Sequence, residues 1–142
     1  MGRHIDVLEE YDGFSFVFIA CNRGKRSVTL DLRTAGGKRA FLRLTETADV
    51  VLSNFKLGTL DEWGLSYDEL AAVNPRIIWA AGSYLGAEGT DAQREGADIV
   101  GQASGGIVFT SGFDGDLKAP ASTLVADHSG SQNFQTGILA AF

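Results

Sequence analysis

Several residue types are scarce in this sequence, and each scarcity excludes something. One cysteine, Cys21, in 142 residues rules out an internal disulfide framework. No Cys/His cluster has zinc-ligand spacing, so no metal site is expected. There are two prolines, Pro75 and Pro120, and two histidines, His4 and His128. The longest apolar run, Phe16–Cys21, is far short of the ~20 residues that span a bilayer, so no membrane association is expected. The first residues lack an apolar signal region, and a reducing cytoplasm is the expected compartment. Basic residues number 12 against 18 acidic ones, and the net charge of −6 argues against a general nucleic-acid binder.

The remainder is ordinary globular material. The chain is 44% apolar and 21% charged, and its length fits about one domain able to bury roughly two-thirds of its unfolded surface. Of the 18 glycines, half fall between Gly82 and Gly115, a region rich in turns or close backbone approaches. Charge is uneven. From Arg23 to Arg43 there are seven basic residues and one acid, Asp31; beyond Arg43 there are four basic and thirteen acidic residues. The basic stretch suits an anionic ligand, and reads equally as a solvated helix face plus a loop.

Periodicity gives a coarse map. Phe14–Ala20 is an apolar run, helix or strand, and Ser27–Leu32 reads as extended. Thr34 can cap a helix to about Thr47 with Phe41, Leu44 and Ala48 on one face. Asp49–Ser53 is a short buried strand, and Thr59–Trp63 a helical turn stopped by Gly64. Ser66-Tyr-Asp-Glu is a capping box opening a helix that ends near Asn74-Pro75. Ile77–Ala81 is a second buried strand, Ala97–Ala103 a helix, and Asp127–Phe142 a helix with Phe134, Ile138 and Ala141 on one side. Apolar strands separated by helices imply an α/β fold, a Rossmann-like parallel sheet with flanking helices. Ligands then bind beyond the carboxyl ends of the strands, in the loops after Ser53 and Gly82.

Familiar nucleotide and hydrolase motifs fail. A Walker A loop needs glycine where Ile19 stands; no G-x-G-x-x-G follows a strand, and no G-x-S-x-G elbow occurs. His4 sits in the terminal segment and carries no expected role. His128, adjacent to Asp127, is either a base or, since neighbours on a helix point apart, a structural or merely neighbouring residue. Asp127 follows Leu124-Val-Ala and precedes Ser129-Gly-Ser, which puts a carboxylate at a helix N-terminus where free N–H groups favour its charged form. Such a residue is either a plain N-cap or an available nucleophile.

Six segments, in order, resemble the family III CoA-transferases, the CaiB/BaiF family. They are Asn22-Arg-Gly-Lys-Arg-Ser-Val-Thr-Leu-Asp-Leu, Ala48-Asp-Val-Val-Leu-Ser-Asn-Phe, Gly58-Thr-Leu-Asp-Glu-Trp-Gly-Leu, Asn74-Pro-Arg-Ile-Ile, Gly96-Ala-Asp-Ile-Val-Gly-Gln-Ala-Ser-Gly-Gly and Leu124-Val-Ala-Asp-His-Ser-Gly. The resemblance runs from about Phe14 to Phe142. It implies transfer of CoA from an acyl-CoA thioester to a carboxylic acid through an aspartyl-CoA thioester, with Asp127 as nucleophile and CoA as substrate rather than resident cofactor. It also implies that Leu30, Asp31, Leu32 and Arg33, with Asn54, Phe55 and Lys56, line the CoA nucleotide, and that Gly96, Ala97 and Asp98 border the reacting end. Arg33 or Lys56 is then the cation for the CoA phosphates, and Phe55 either stacks on the ligand or packs in the core. Asp98 is alternatively a helix N-cap.

Departures from the family pattern narrow the reading. Leu57 stands where a proline is common, and Glu62, Glu95 and Ala97 replace a basic residue, a lysine and a tyrosine of formyl-CoA transferase, which points away from formate and oxalate as substrates. Related racemases carry a histidine base where Ala97 stands, which argues against the alternative of an acyl-CoA racemase or isomerase. A third reading is a catalytically silent CoA-binding fragment. By resemblance residues 1–142 are part of the large domain, with a first strand expected before residue 1, a small domain after Phe142, and the full-length protein an interlocked homodimer.

Overall fold

The computed structural model describes residues 13–142, so His4 lies outside the described residues. The chain divides into two compact units, Met1–Leu30 and Asp31–Phe142. In the first, the apolar run is a helix, α1 (Phe16–Cys21). Ser15 opens it by accepting the Phe18 N–H at 3.2 Å, and the Asn22 side chain closes it on the Phe18 carbonyl at 2.8 Å. The Phe14 and Phe18 rings stack with centroids 5.3 Å apart. Residues 25–30 belong to no helix or strand, so the extended reading of Ser27–Leu32 corresponds to no sheet strand.

The second unit holds α2 (Ala35–Thr45), β1 (Val50–Ser53), α3 (Thr59–Glu62), α4 (Tyr67–Val73), β2 (Ile78–Ala81), α5 (Asp98–Ser104), α6 (Ile107–Thr110) and α7 (Val125–Ala141). Thr34 caps α2 through the Gly37 N–H at 3.1 Å, and Ser66 caps α4 through the Glu69 N–H at 3.4 Å, as the sequence predicts. The two strands are parallel and in register, Val50 opposite Ile78 and Ser53 opposite Ala81. With α3 and α4 between them they form the expected β-α-β unit.

The core is built in the connection between the strands, from Leu60, Leu65, Leu70 and Ile77. Gly64 makes the turn that seats Leu65. Its φ of +68° is the left-handed region, and the Leu65 and Gly64 N–H groups close on the Leu60 and Asp61 carbonyls, both at 2.8 Å. Asn74 ties α4 back to α2 by donating to the Thr45 and Ala48 carbonyls at 3.0 and 2.7 Å.

The predicted inner face of α2 is displaced. Leu44 is 54% exposed and Thr45 is the buried residue. Thr45 tolerates burial because its hydroxyl donates to the Phe41 carbonyl at 3.1 Å, leaving no unpaired polar group. The short helix α6 has no counterpart in the sequence reading. Among the described residues no helix is long and apolar enough to cross a membrane. Phe109, Phe113, Leu117, Leu139 and Phe142 remain largely exposed.

Candidate functional site

Parallel pairing sends the chain out of both strands at the same sheet edge. The Gly82 N–H extends the ladder to the Ser53 carbonyl at 2.9 Å, so the loop carrying Asn54, Phe55 and Lys56 and the loop carrying Ser83 and Tyr84 leave side by side. This is the edge at which α/β proteins bind ligands. A cleft of about 70 Å³ opens there, lined by Ser53, Phe55, Lys56, Leu57, Trp79 and Ala81 among others. That volume is far below the ~300–1,000 Å³ of an ordinary small-molecule site, so the cleft accounts for only part of one. Phe55 is half exposed and meets the edge of Trp63 at 5.6 Å between centroids, so its ring serves both packing and the loop surface. Asn54 and Lys56 are exposed.

The second half of the site is the junction of α5 and α7. Asp127 lies in the first turn of α7, but the N-cap position is Leu124, with no side-chain cap. Asp127 is therefore not a plain N-cap. Capping is done from outside the helix: Asp98, the first residue of α5, accepts the Ala126 and Asp127 backbone N–H groups on Oδ1 at 2.8 and 3.1 Å. Its Oδ2 accepts from Gln102 Nε2 at 2.5 Å. Gln102 is fully buried, donates also to the Thr123 carbonyl at 3.2 Å, and accepts the Ala121 N–H at 2.8 Å. Partial burial pushes the Asp98 carboxyl upward, but the hydrogen bonds from Asp127, Gln102 and Ala126, with the positive field of His128, outweigh it and hold it below the usual carboxylate range. Asp98 is thus a cap, as one reading allowed, but of a different helix from its own.

Relieved of capping, the Asp127 carboxylate is exposed and takes a 2.5 Å hydrogen bond on Oδ1 from the Tyr84 hydroxyl. Burial, the bond to Asp127 and the charges of Asp127 and Asp98 push the Tyr84 phenol up to about 12, so it stays protonated at neutral pH. Close approaches make this possible. A Cβ added at Gly96 would lie 2.8 Å from Tyr84 Cβ, and one at Gly101 would lie 2.7 Å from Ala126 Cβ. Sequence reasoning missed Tyr84 and Gln102.

The remaining predicted residues stand as follows. Ala97 is the exposed N-cap position of α5. Leu30 is half-buried at the end of the first unit, and Leu32 half-buried in the second. Arg33 folds back on Asp31 in a two-pronged ion pair at 2.9 and 3.1 Å, whose hydrogen bonds hold the Asp31 carboxyl low. Among the described residues no hydrogen bond or ion pair ties this turn to Asn54, Lys56 or Asp127. The structure thus brings together Asn54, Phe55 and Lys56 at one lip of the sheet edge, and joins Tyr84 at the other lip to Asp127 and Asp98.

Comparison with known proteins agrees with this architecture. The sequence matches the family described as CoA-transferase family III over residues 1–142. It is 39% identical over 129 residues to an acetyl-CoA:oxalate CoA-transferase of Acetobacter aceti, covering 90% of this chain and 32% of that protein. It is 40% identical over 112 residues to a succinyl-CoA–D-citramalate CoA-transferase of Chloroflexus aurantiacus, covering 79% and 27%. The crystal structure of a CaiB/BaiF family protein from Brucella suis superposes with a TM-score of 0.80 at 36% identity, covering 93% of this chain and 36% of that one. The chain therefore spans about a third of the length of the relatives it matches.

Proposed function

The chain belongs to CoA-transferase family III, and on that premise we propose that the protein transfers CoA from an acyl-CoA thioester to a carboxylic acid, with Asp127 as the nucleophile. The observation that carries this reading is the division of labour between two carboxylates. Asp98 satisfies the N–H groups at the start of α7, and Asp127 is left as an exposed carboxylate in the same turn.

In this reading Asp127 attacks the thioester carbonyl carbon, the carbon–sulfur bond breaks, and CoA leaves as thiolate, giving a mixed anhydride. The thiolate attacks Asp127 Cγ and expels the donor acid as carboxylate, giving the aspartyl-CoA thioester. The acceptor carboxylate repeats the sequence in reverse and restores Asp127. Charge is conserved at every step, so no net proton is needed. The turn at Asn54, Phe55 and Lys56 is assigned to CoA, with Lys56 facing the phosphates from the cleft lip. Gly96, Ala97 and Asp98 border the reacting end, Asp98 by holding α7. Leu30, Asp31, Leu32 and Arg33 are assigned to the nucleotide from the family resemblance alone; Arg33 must then exchange Asp31 for phosphate. The exposed apolar side chains of α6 and α7 suit coverage by further protein, in line with a longer large domain and an interlocked homodimer.

Asp127→Asn in the full-length protein tests the reading. Transfer is expected to fall by about a thousandfold or more, as for loss of a covalent nucleophile, with CoA affinity retained. Unchanged transfer rejects the assignment.

A further inference from the structure

The hydrogen bond between Tyr84 and Asp127 bears directly on the reacting atoms if Asp127 is the nucleophile, and the following rests on that reading. We propose that the Tyr84 hydroxyl is a catalytic hydrogen-bond donor. It engages Asp127 Oδ1, directs Oδ2 at the thioester, and stabilises the oxyanion that forms on Oδ1 when the CoA thiolate adds to the aspartyl carbonyl.

The geometry makes the two carboxylate oxygens inequivalent. Oδ1 carries the phenol at 2.5 Å, so Oδ2 is the oxygen available for attack. Once Oδ2 is acylated, Oδ1 is a carbonyl oxygen and the phenol bond to it is neutral. Addition of thiolate to Cγ concentrates a full negative charge on Oδ1, and the same bond becomes charge-assisted. Stabilisation therefore grows along the reaction from the anhydride, which is the condition for a donor to accelerate a step rather than only bind. No proton changes hands, and a phenol whose pKa lies at about 12 keeps its hydrogen for donation.

The surroundings fix the donor. Tyr84 lies three residues beyond the end of β2, where the sheet is paired to β1 through Ala81 and Ser53. The absence of a side chain at Gly96 admits its Cβ. The acceptor is fixed independently, because Asp98 holds the Asp127 backbone from α5. Asp98 is in this respect a positioning residue.

Tyr84→Phe in the full-length protein keeps the ring and deletes the donor. The expected result is a fall in kcat of about 10- to 100-fold with KM for acyl-CoA unchanged. The loss is below that of a dedicated oxyanion donor because the phenol also stabilises the resting carboxylate. A bond that merely joins loop to helix would lower the melting temperature and leave kcat within threefold, and that result overturns the proposal. Should the variant fail to fold, 3-fluorotyrosine at position 84 retains both ring and hydroxyl; kcat must then change with the greater acidity of the phenol, and an unchanged kcat overturns the assignment. Asp127→Asn separates the two claims. Full activity in that variant rejects the nucleophile itself, whereas its inactivity beside a fully active Tyr84→Phe rejects only the role of Tyr84.

Discussion

Asp98 accepts the backbone N–H of Asp127 at 3.1 Å across 29 residues of sequence. One carboxylate thereby fixes the backbone that presents the other. The arrangement resolves a conflict that a helix N-terminus would otherwise impose. An aspartate in the first turn is drawn to cap its own helix, and a side chain bent back onto backbone N–H groups is a poor nucleophile for an external carbonyl. Capping from α5 removes the competition.

Removing the cap has a defined cost. Asp98→Ala leaves the Ala126 and Asp127 N–H groups without their acceptor, and the buried Gln102 amide with only the Thr123 carbonyl to donate to. Thermal or denaturant unfolding is expected to show a loss of about 2 kcal/mol, the sum of a lost cap and part of a buried unsatisfied polar group. The native Asp98 carboxyl titrates below its unfolded value. Its contribution is therefore fully present above the unfolded pKa of about 4 and disappears as pH falls through the lower native value. Stability measured from pH 6 down to pH 2 should fall less steeply in Asp98→Asn than in the parent protein.

Tyr84 supplies a titration at the opposite end of the scale. Its phenol is pushed up to about 12 against an ordinary 10. Both states are protonated below pH 10, so the stabilisation is complete there and is lost as pH rises toward 12. Ultraviolet titration of phenolate is expected to show a component near 12 that is absent from Tyr84→Phe and moves down in Asp127→Asn, where the carboxylate charge is gone.

Lys56 lies at the cleft lip, exposed. In the proposed site its ammonium meets the CoA phosphates as a point charge. Lys56→Ala is expected to raise KM for acyl-CoA by about tenfold, corresponding to ~1.4 kcal/mol, with kcat nearly unchanged. The difference between the two proteins should shrink at high ionic strength, because an exposed charge pair is screened.

Much of the fold is legible in the residues because its signals are local. Thr34 and Ser66 announce two helix starts within three residues each, Gly64 marks a turn, and the two strands are short apolar runs between such punctuation. The family motifs mark Asp127 and the Asn54 turn in the same way. What escapes is built across distance. Tyr84 reaches Asp127 over 43 residues and Gln102 reaches Thr123 over 21, and no periodicity in either segment encodes the meeting. Asp98 illustrates the limit: its residue type identifies a cap, but only the packing of α5 on α7 decides which helix it serves. Leu44 fails for a related reason, since helical spacing sets which residues share a face and tertiary packing sets which face is covered.

Covalent capture of the intermediate tests the central claim most directly. The full-length protein, incubated with acyl-CoA and quenched with hydroxylamine, should carry a hydroxamate on the peptide containing Asp127 when analysed by mass spectrometry. The adduct should depend on acyl-CoA and be missing from Asp127→Asn. Turnover with every peptide around Asp127 unmodified, or with the adduct on another carboxylate, would contradict the account.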